Sequence, residues 1–168
     1  MSAAIAARHG VACHVAMVGE ANVVDEMLAR GAVLGGEGNG GVIDPRVVLV
    51  RDSFVAMALV LERMCAGPTL VSLESLAAGL PRMVMRKTKV AVSPGLRGAA
   101  LAAAFDRVAA AFPHATADRL DGLRVDWPEG WLLVRASNTE PIVRIVAEAG
   151  DEAAAGAASD RAAAAGSG

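Results

Sequence analysis

Trp131-Leu132-Leu133-Val134 runs directly into Arg135-Ala136-Ser137-Asn138-Thr139-Glu140-Pro141, which runs into Ile142-Val143-Arg144-Ile145-Val146. Two strongly apolar segments joined by a short polar turn read as strands of one sheet, so residues 123–148 are expected to form a strand pair. Working outward, residues 83–92 alternate like a further strand, and residues 96–112 read as a long Ala-rich helix stopped by Pro113. These elements make a small domain mixing helix and sheet. Its start is set near Arg82, after Pro81, where the texture of the sequence changes. Beyond Asp151 the chain carries Ala, Gly, Ser and a few charges but no larger apolar side chain to dock, so residues 151–168 are expected to be a frayed helix or disordered tail.

The first half has a different rhythm. Residues 2–8 read as a helix with Gly10 as its left-handed stop, and Val11, Ala12, His14, Val15 and Val18 as a short strand. A second helix follows, with Val23, Val24, Met27 and Leu28 on its apolar face and Gly31 as its end. Ala32-Val33-Leu34 then lead into a glycine-dense loop. Alternation of helix and strand is the grammar of a parallel sheet with crossover helices, although the chain enters that grammar midway, as if its amino end were cut short. After the loop, Asp52 or Ser53 can cap a helix through Phe54, Met57, Leu61 and Met64, closed at Gly67-Pro68. Its apolar residues cover more than one stripe, which predicts a well-buried helix. A shorter helix spans residues 72–80.

Composition narrows the function. Of 168 residues 54% are hydrophobic, enough for one ordinary domain or two small ones. Sixteen basic against eighteen acidic residues leave a net charge of −2, so no basic field exists to hold nucleic acid or an anionic membrane. A mean hydropathy of +0.44 comes from Ala and Val scattered between charges, with no uninterrupted apolar run of the ~20 residues a spanning helix needs. No secretory leader is evident, which makes the expected location cytoplasmic. Cys13 and Cys65 lack a CxxC or Cys/His pattern and are expected to be buried free thiols. His9, His14 and His114 lack partners at metal-ligand spacing, so no tightly held metal is expected.

Two loops have the residues for chemistry. Gly35-Gly36-Glu37-Gly38-Asn39-Gly40-Gly41 sets one acid and one amide among glycines that let backbone approach a ligand closely, and Glu37 and Asn39 suit a polyhydroxylated ligand. Its spacing is not that of a dinucleotide loop, and a flexible turn would serve the same residues. In the turn Arg135–Pro141, a guanidinium, two hydroxyls, an amide and backbone N–H groups form a donor cluster of the kind a phosphate dianion requires. The same residues also suit a well-capped hairpin turn.

Val18-Gly19-Glu20-Ala21-Asn22-Val23, Gly36-Glu37-Gly38-Asn39-Gly40-Gly41-Val42-Ile43, Arg51-Asp52-Ser53, Leu80-Pro81-Arg82 and Arg135-Ala136-Ser137-Asn138-Thr139-Glu140-Pro141 occur in an order and spacing that resembles the α-D-phosphohexomutase family, over nearly all of residues 1–150. The resemblance implies an α/β architecture: an incomplete three-layer α/β domain over residues 1–81, then a small α+β, TATA-box-binding-protein-like domain over residues 82–150. It implies an enzyme that interconverts hexose or hexosamine 1- and 6-phosphates, using a phosphoserine in a first domain and Mg²⁺ on a DxDxDR loop in a second. Glu37 and Asn39 would bind sugar hydroxyls, and Arg135, Ser137, Asn138 and Thr139 the phosphate that is not transferred. Where some branches carry a histidine at the end of the sugar loop, Gly41 stands here. These residues include no SHNP-type serine loop and no DxD. The chain is therefore expected to supply sugar and phosphate binding without a catalytic residue or Mg²⁺ of its own, working with a separate amino-terminal half. A non-catalytic phosphosugar-binding or interaction module is the second reading, and a degenerate fragment that no longer folds stably, left with an unpaired sheet edge, is the third.

Overall fold

The computed structural model describes residues 1–38, 40–93, 96–137 and 139–167. Contacts divide the chain into two compact units, Met1–Pro81 and Arg82–Gly168.

In the first unit, α1 (Ser2–Arg8) ends beside Gly10, whose φ of +66° is the left-handed stop. Residues 11–17 form no strand, contrary to the short strand expected there. Helix α2 (Glu20–Arg30) ends at Gly31 in the left-handed region, φ +62°. Two short strands follow, β1 (Gly35–Gly36) and β2 (Val42–Ile43), paired antiparallel with Gly35 opposite Ile43. The expected parallel pairing is absent among the described residues of this unit. Met27 of α2 lies where a Cβ on Gly35 would sit, so the glycine is what lets the helix close on the strand.

Asp52 caps α3 (Ser53–Cys65), its carboxylate accepting from the N–H groups of Phe54 at 2.7 Å and Val55 at 3.0 Å. Ser72 caps α4 (Leu73–Ala78) in the same way. The expectation that α3 is well buried fails: none of its side chains is buried, and Phe54 is 79% exposed. Within this unit the helix packs against β2, a two-residue strand too short to cover its apolar stripes. Cys13 and Cys65 are likewise exposed rather than buried.

The second unit holds β3 (Val84–Ala91), α5 (Gly98–Ala110), β4 (Thr116–Asp118), β5 (Leu123–Trp127), β6 (Gly130–Ala136), β7 (Ile142–Ala149) and α6 (Glu152–Gly166). The strands form one antiparallel sheet in the order β3-β7-β6-β5-β4. The expected strand pair over 123–148 is three strands, because a turn at Pro128-Glu129 divides β5 from β6. Leu123, Val125, Leu132, Val134, Val143 and Ile145 line one face and join Phe105 and Val108 of α5 and Ala158 and Ala162 of α6 in a single core. Lys87, Lys89 and Arg144 alternate onto the other face and are exposed.

Residues 151–167 are not a loose tail, and Gly168 lies outside the described residues. Ala155, Gly156, Ala158, Ser159 and Ala162 of α6 are buried, and the helix packs on β3, β7 and α5. Small side chains are what permit this: the helix backbone itself comes close to the sheet, with Gly156 facing Arg86. Asp151 caps the start, accepting from the Ala154 N–H at 2.8 Å. Buried Ser159 shares a 2.9 Å hydrogen bond with Thr88 of β3. Arg107 of α5 donates to the Ala165 and Gly166 carbonyls, both at 3.1 Å, satisfying acceptors at the helix end.

Candidate functional site: two polar turns

The glycine turn connects β1 to β2. Glu37 N–H donates to the Gly41 carbonyl at 3.2 Å and Gly40 N–H to the Glu37 carbonyl at 3.1 Å, with Gly40 at φ +86°. Asn39 lies outside the described residues. The Glu37 side chain, 17% exposed, does not stand alone among glycines: Arg51 Nη1 reaches its Oε2 at 2.8 Å. The same guanidinium donates from Nε to Glu20 Oε2 at 2.8 Å, and the Arg51 backbone N–H donates to that oxygen at 2.9 Å.

Glu20 opens α2 after Gly19, whose φ of +126° is a glycine conformation. Asp52, the next residue after Arg51, donates its N–H to the Val42 carbonyl at 2.9 Å. Arg51 is thus tied on one side to the start of α2 and on the other to the rim of the glycine turn. Arg51 holds the Glu20 carboxyl below the usual carboxylate range, first through the side-chain hydrogen bond and then through the backbone one. Arg51 in turn is pushed further up, chiefly by its hydrogen bond to Glu20 and with a smaller contribution from the Glu37 charge. Glu20 and Arg51 both lie in stretches that carry the family resemblance, but no local pattern gives either a role. They are 31 positions apart, and only the fold brings them together.

Downstream of the same turn, buried Asp44 accepts from the Arg46 backbone N–H at 2.9 Å and from its guanidinium at 2.6 Å. The Arg46 hydrogen bonds hold the Asp44 carboxyl below its ordinary range. This pair fixes the exit of β2.

The second turn connects β6 to β7. Ser137 N–H donates to the Ile142 carbonyl at 2.9 Å, extending the ladder by one step. Ser137 Oγ accepts from the N–H groups of Thr139 at 3.4 Å and Glu140 at 3.2 Å, and lies 3.5 Å from Thr139 Oγ1. Two hydroxyls and two amide N–H groups are thereby gathered at one point, while Asn138 lies outside the described residues. Arg135 is the last charged residue of β6, and its Nε donates to Asp121 Oδ1 at 2.8 Å. Asp121 owes its place to Gly122, whose φ of +83° and close approach to the Val134 carbonyl exclude any other side chain. Arg144, opposite Arg135 in register, donates to Glu140 at 3.0 Å.

Two cavities of about 290 and 410 Å³ also lie in the second unit, and neither is lined by residues of this turn. Among the described residues no three His, Cys, Asp or Glu side chains converge as a metal site. No helix among them is long and apolar enough to cross a membrane.

Comparison with known proteins supplies the context for these turns. Residues 1–83 match the family profile described as phosphoglucomutase/phosphomannomutase, alpha/beta/alpha domain III, and residues 84–165 match the C-terminal domain of the same description. A probable phosphoglucosamine mutase of Methanocella arvoryzae is 34% identical over 146 residues, covering 87% of this chain and 32% of the relative. A phosphoglucomutase/phosphomannomutase of Thermococcus kodakarensis is 37% identical over 148 residues, covering 88% of this chain and 31% of the relative. A crystal structure of a phosphoglucomutase/phosphomannomutase family protein from Burkholderia thailandensis superposes with a TM-score of 0.65 at 28% identity, covering 89% of this chain and 32% of that one. The chain spans about a third of the length of the curated relatives it matches.

Proposed function

The chain belongs to the phosphoglucomutase/phosphomannomutase family, and we propose that it supplies the sugar-binding and phosphate-binding parts of a phosphohexomutase that interconverts hexose or hexosamine 1- and 6-phosphates. The observation that carries this reading is the turn of residues 135–141. There the backbone N–H groups of Thr139 and Glu140 meet Ser137 Oγ at long distances of 3.4 and 3.2 Å, two positions and more after Arg135 at the end of β6. A phosphate oxygen is a stronger acceptor than a hydroxyl, so a dianion can take over these donors while Arg135 supplies the opposite charge. Glu37, with Asn39, would accept and donate to sugar hydroxyls from the glycine turn.

The division of labour suits a reaction in which the sugar must be bound in two opposite senses. One turn recognises hydroxyls and the other a phosphate, and neither makes nor breaks a bond. The phosphoryl donor and the Mg²⁺ implied by the family fall, in this reading, on an amino-terminal part with the serine and DxDxDR loops. The ion would stabilise charge on the transferring phosphate. Among the described residues no three His, Cys, Asp or Glu side chains converge in a way that fits it. A cytoplasmic setting fits a phosphosugar substrate.

Calorimetric titration of the 168-residue chain with glucosamine 6-phosphate and with glucosamine tests the proposal. The phosphosugar is expected to bind the more tightly. Equal affinities, or binding of neither, would overturn it.

A further inference from the structure

We infer that Arg51 is a positioning residue for the sugar turn: it acts through Glu37, fixing that carboxylate against the glycine hairpin so that it is presented to sugar hydroxyls in one orientation. The inference rests on the proposed role of Glu37 and extends it to two residues that carry none so far.

The glycines on both sides of Glu37 offer no side chains with which to hold the carboxylate, so neighbours of this kind would leave it free to sample many rotamers. Arg51 removes that freedom. Its Nη1 holds Oε2 of Glu37 at 2.8 Å, and its stem lies against Gly41, where a Cβ would come within 2.8 Å of Arg51 Cγ. The arginine is itself anchored twice by Glu20, through Nε and through its own backbone N–H. It is anchored once more through Asp52, which joins β2 by its N–H and caps α3 by its carboxylate. A guanidinium suits this place better than an ammonium because its fixed fork meets Glu20 from Nε and Glu37 from Nη1 at the same time. Orienting a group before the ligand arrives lowers the ordering cost of binding, so the benefit appears as affinity rather than as a new contact.

A double-mutant cycle on the 168-residue chain reads this directly, with glucosamine 6-phosphate and inorganic phosphate as the two titrants. Glu37→Gln and Arg51→Met are each expected to weaken glucosamine 6-phosphate by about tenfold and to leave inorganic phosphate unchanged. The combined variant is expected to be no weaker than Glu37→Gln alone, because Arg51 acts through Glu37. Additive losses would show a merely structural role and overturn the inference. If Glu37→Gln itself leaves the affinity unchanged, the sugar-binding role of Glu37 fails, which is a distinct result. Should Arg51→Met unfold the first unit, Glu20→Gln serves instead: it loosens Arg51 without touching Glu37. It is expected to weaken glucosamine 6-phosphate severalfold, and unchanged affinity in that variant overturns the inference equally.

Discussion

Arg135 at the end of β6 and Asp121 before the start of β5 form an ion pair of 2.8 Å, with side chains 32% and 20% exposed. The pair fixes the guanidinium two residues before the turn that begins at Ser137, instead of leaving it to wander in solvent. An arginine fixed by an acid on one side and open to a dianion on the other is a common way of holding phosphate. Arg135→Ala is therefore expected to weaken glucosamine 6-phosphate binding by about ten- to a hundredfold, as follows from a charged hydrogen bond of about 1.5–3 kcal/mol. Neutral glucosamine should be unaffected. Trp131 lies on the same strand and face, and its fluorescence offers the titration signal; undiminished phosphosugar affinity would assign the turn to structure alone.

Gly122→Ala tests the support beneath that pair. Any Cβ at this position falls on the Val134 carbonyl oxygen, and the left-handed backbone adds roughly 1–2 kcal/mol for a residue other than glycine. The melting temperature of the variant should drop by several degrees, about 4–8 °C for each kcal/mol in a domain of this size. Phosphosugar affinity should fall with it as Asp121 loses its placement. A thermal melt indistinguishable from that of the parent would contradict the role given to this glycine.

The first unit should be acid-sensitive for a definable reason. Hydrogen bonds from Arg51 and Arg46 hold the carboxyls of Glu20 and Asp44 below their ordinary range in the folded chain. Groups whose folded pKa is depressed add stability above the unfolded value, near 4, and lose that contribution as pH falls through the folded value. Glu20→Gln and Asp44→Asn should each lower the urea midpoint at pH 7, and the gap to the parent should close as the pH is taken below about 4. Urea curves followed by circular dichroism at pH 7, 5 and 3 provide the check. A gap that stays constant across the series would contradict the assignment.

Removing residues 151–168 distinguishes a docked helix from a dispensable tail. Ala155, Ala158 and Ala162 cover β3 and β7, and the Thr88–Ser159 hydrogen bond would be broken. Exposing the core that holds Leu132 and Ile145 should unfold the second unit or lower its melting temperature by tens of degrees, since each of those side chains contributes about 1.5–3 kcal/mol when buried. A truncated chain melting with the parent would mean that the helix is not part of the domain.

How far the sequence leads differs from element to element, for physical reasons. Helix α2 and its end at Gly31, the Asp52 cap of α3 and the strands that flank Ser137 are all written in local patterns of capping, left-handed glycine and apolar runs. Helix α6 is not, because an Ala-rich segment has no large side chain to advertise burial; it docks by bringing its backbone close, which only the partner surface reveals. The three exposed residues of β4 likewise have no apolar alternation to read. For α3 the pattern overstates burial, since apolar stripes record what a helix could bury and not whether a sheet lies against it. At the site, the residue types at Glu37 and Arg135 were legible as candidate binders. Their partners Arg51, Glu20 and Asp121 were not, because those ion pairs join residues 14 to 31 positions apart through the fold.

The most direct measurement is a coupled mutase assay of the 168-residue chain, alone and with an amino-terminal phosphohexomutase half that has the serine and DxDxDR loops, on glucosamine, mannose and glucose phosphates with Mg²⁺ present. No turnover is expected from the chain alone, and turnover of at least one of these sugars is expected when the amino-terminal half is supplied. Turnover by the chain alone would contradict the assignment of phosphoryl transfer to residues outside it.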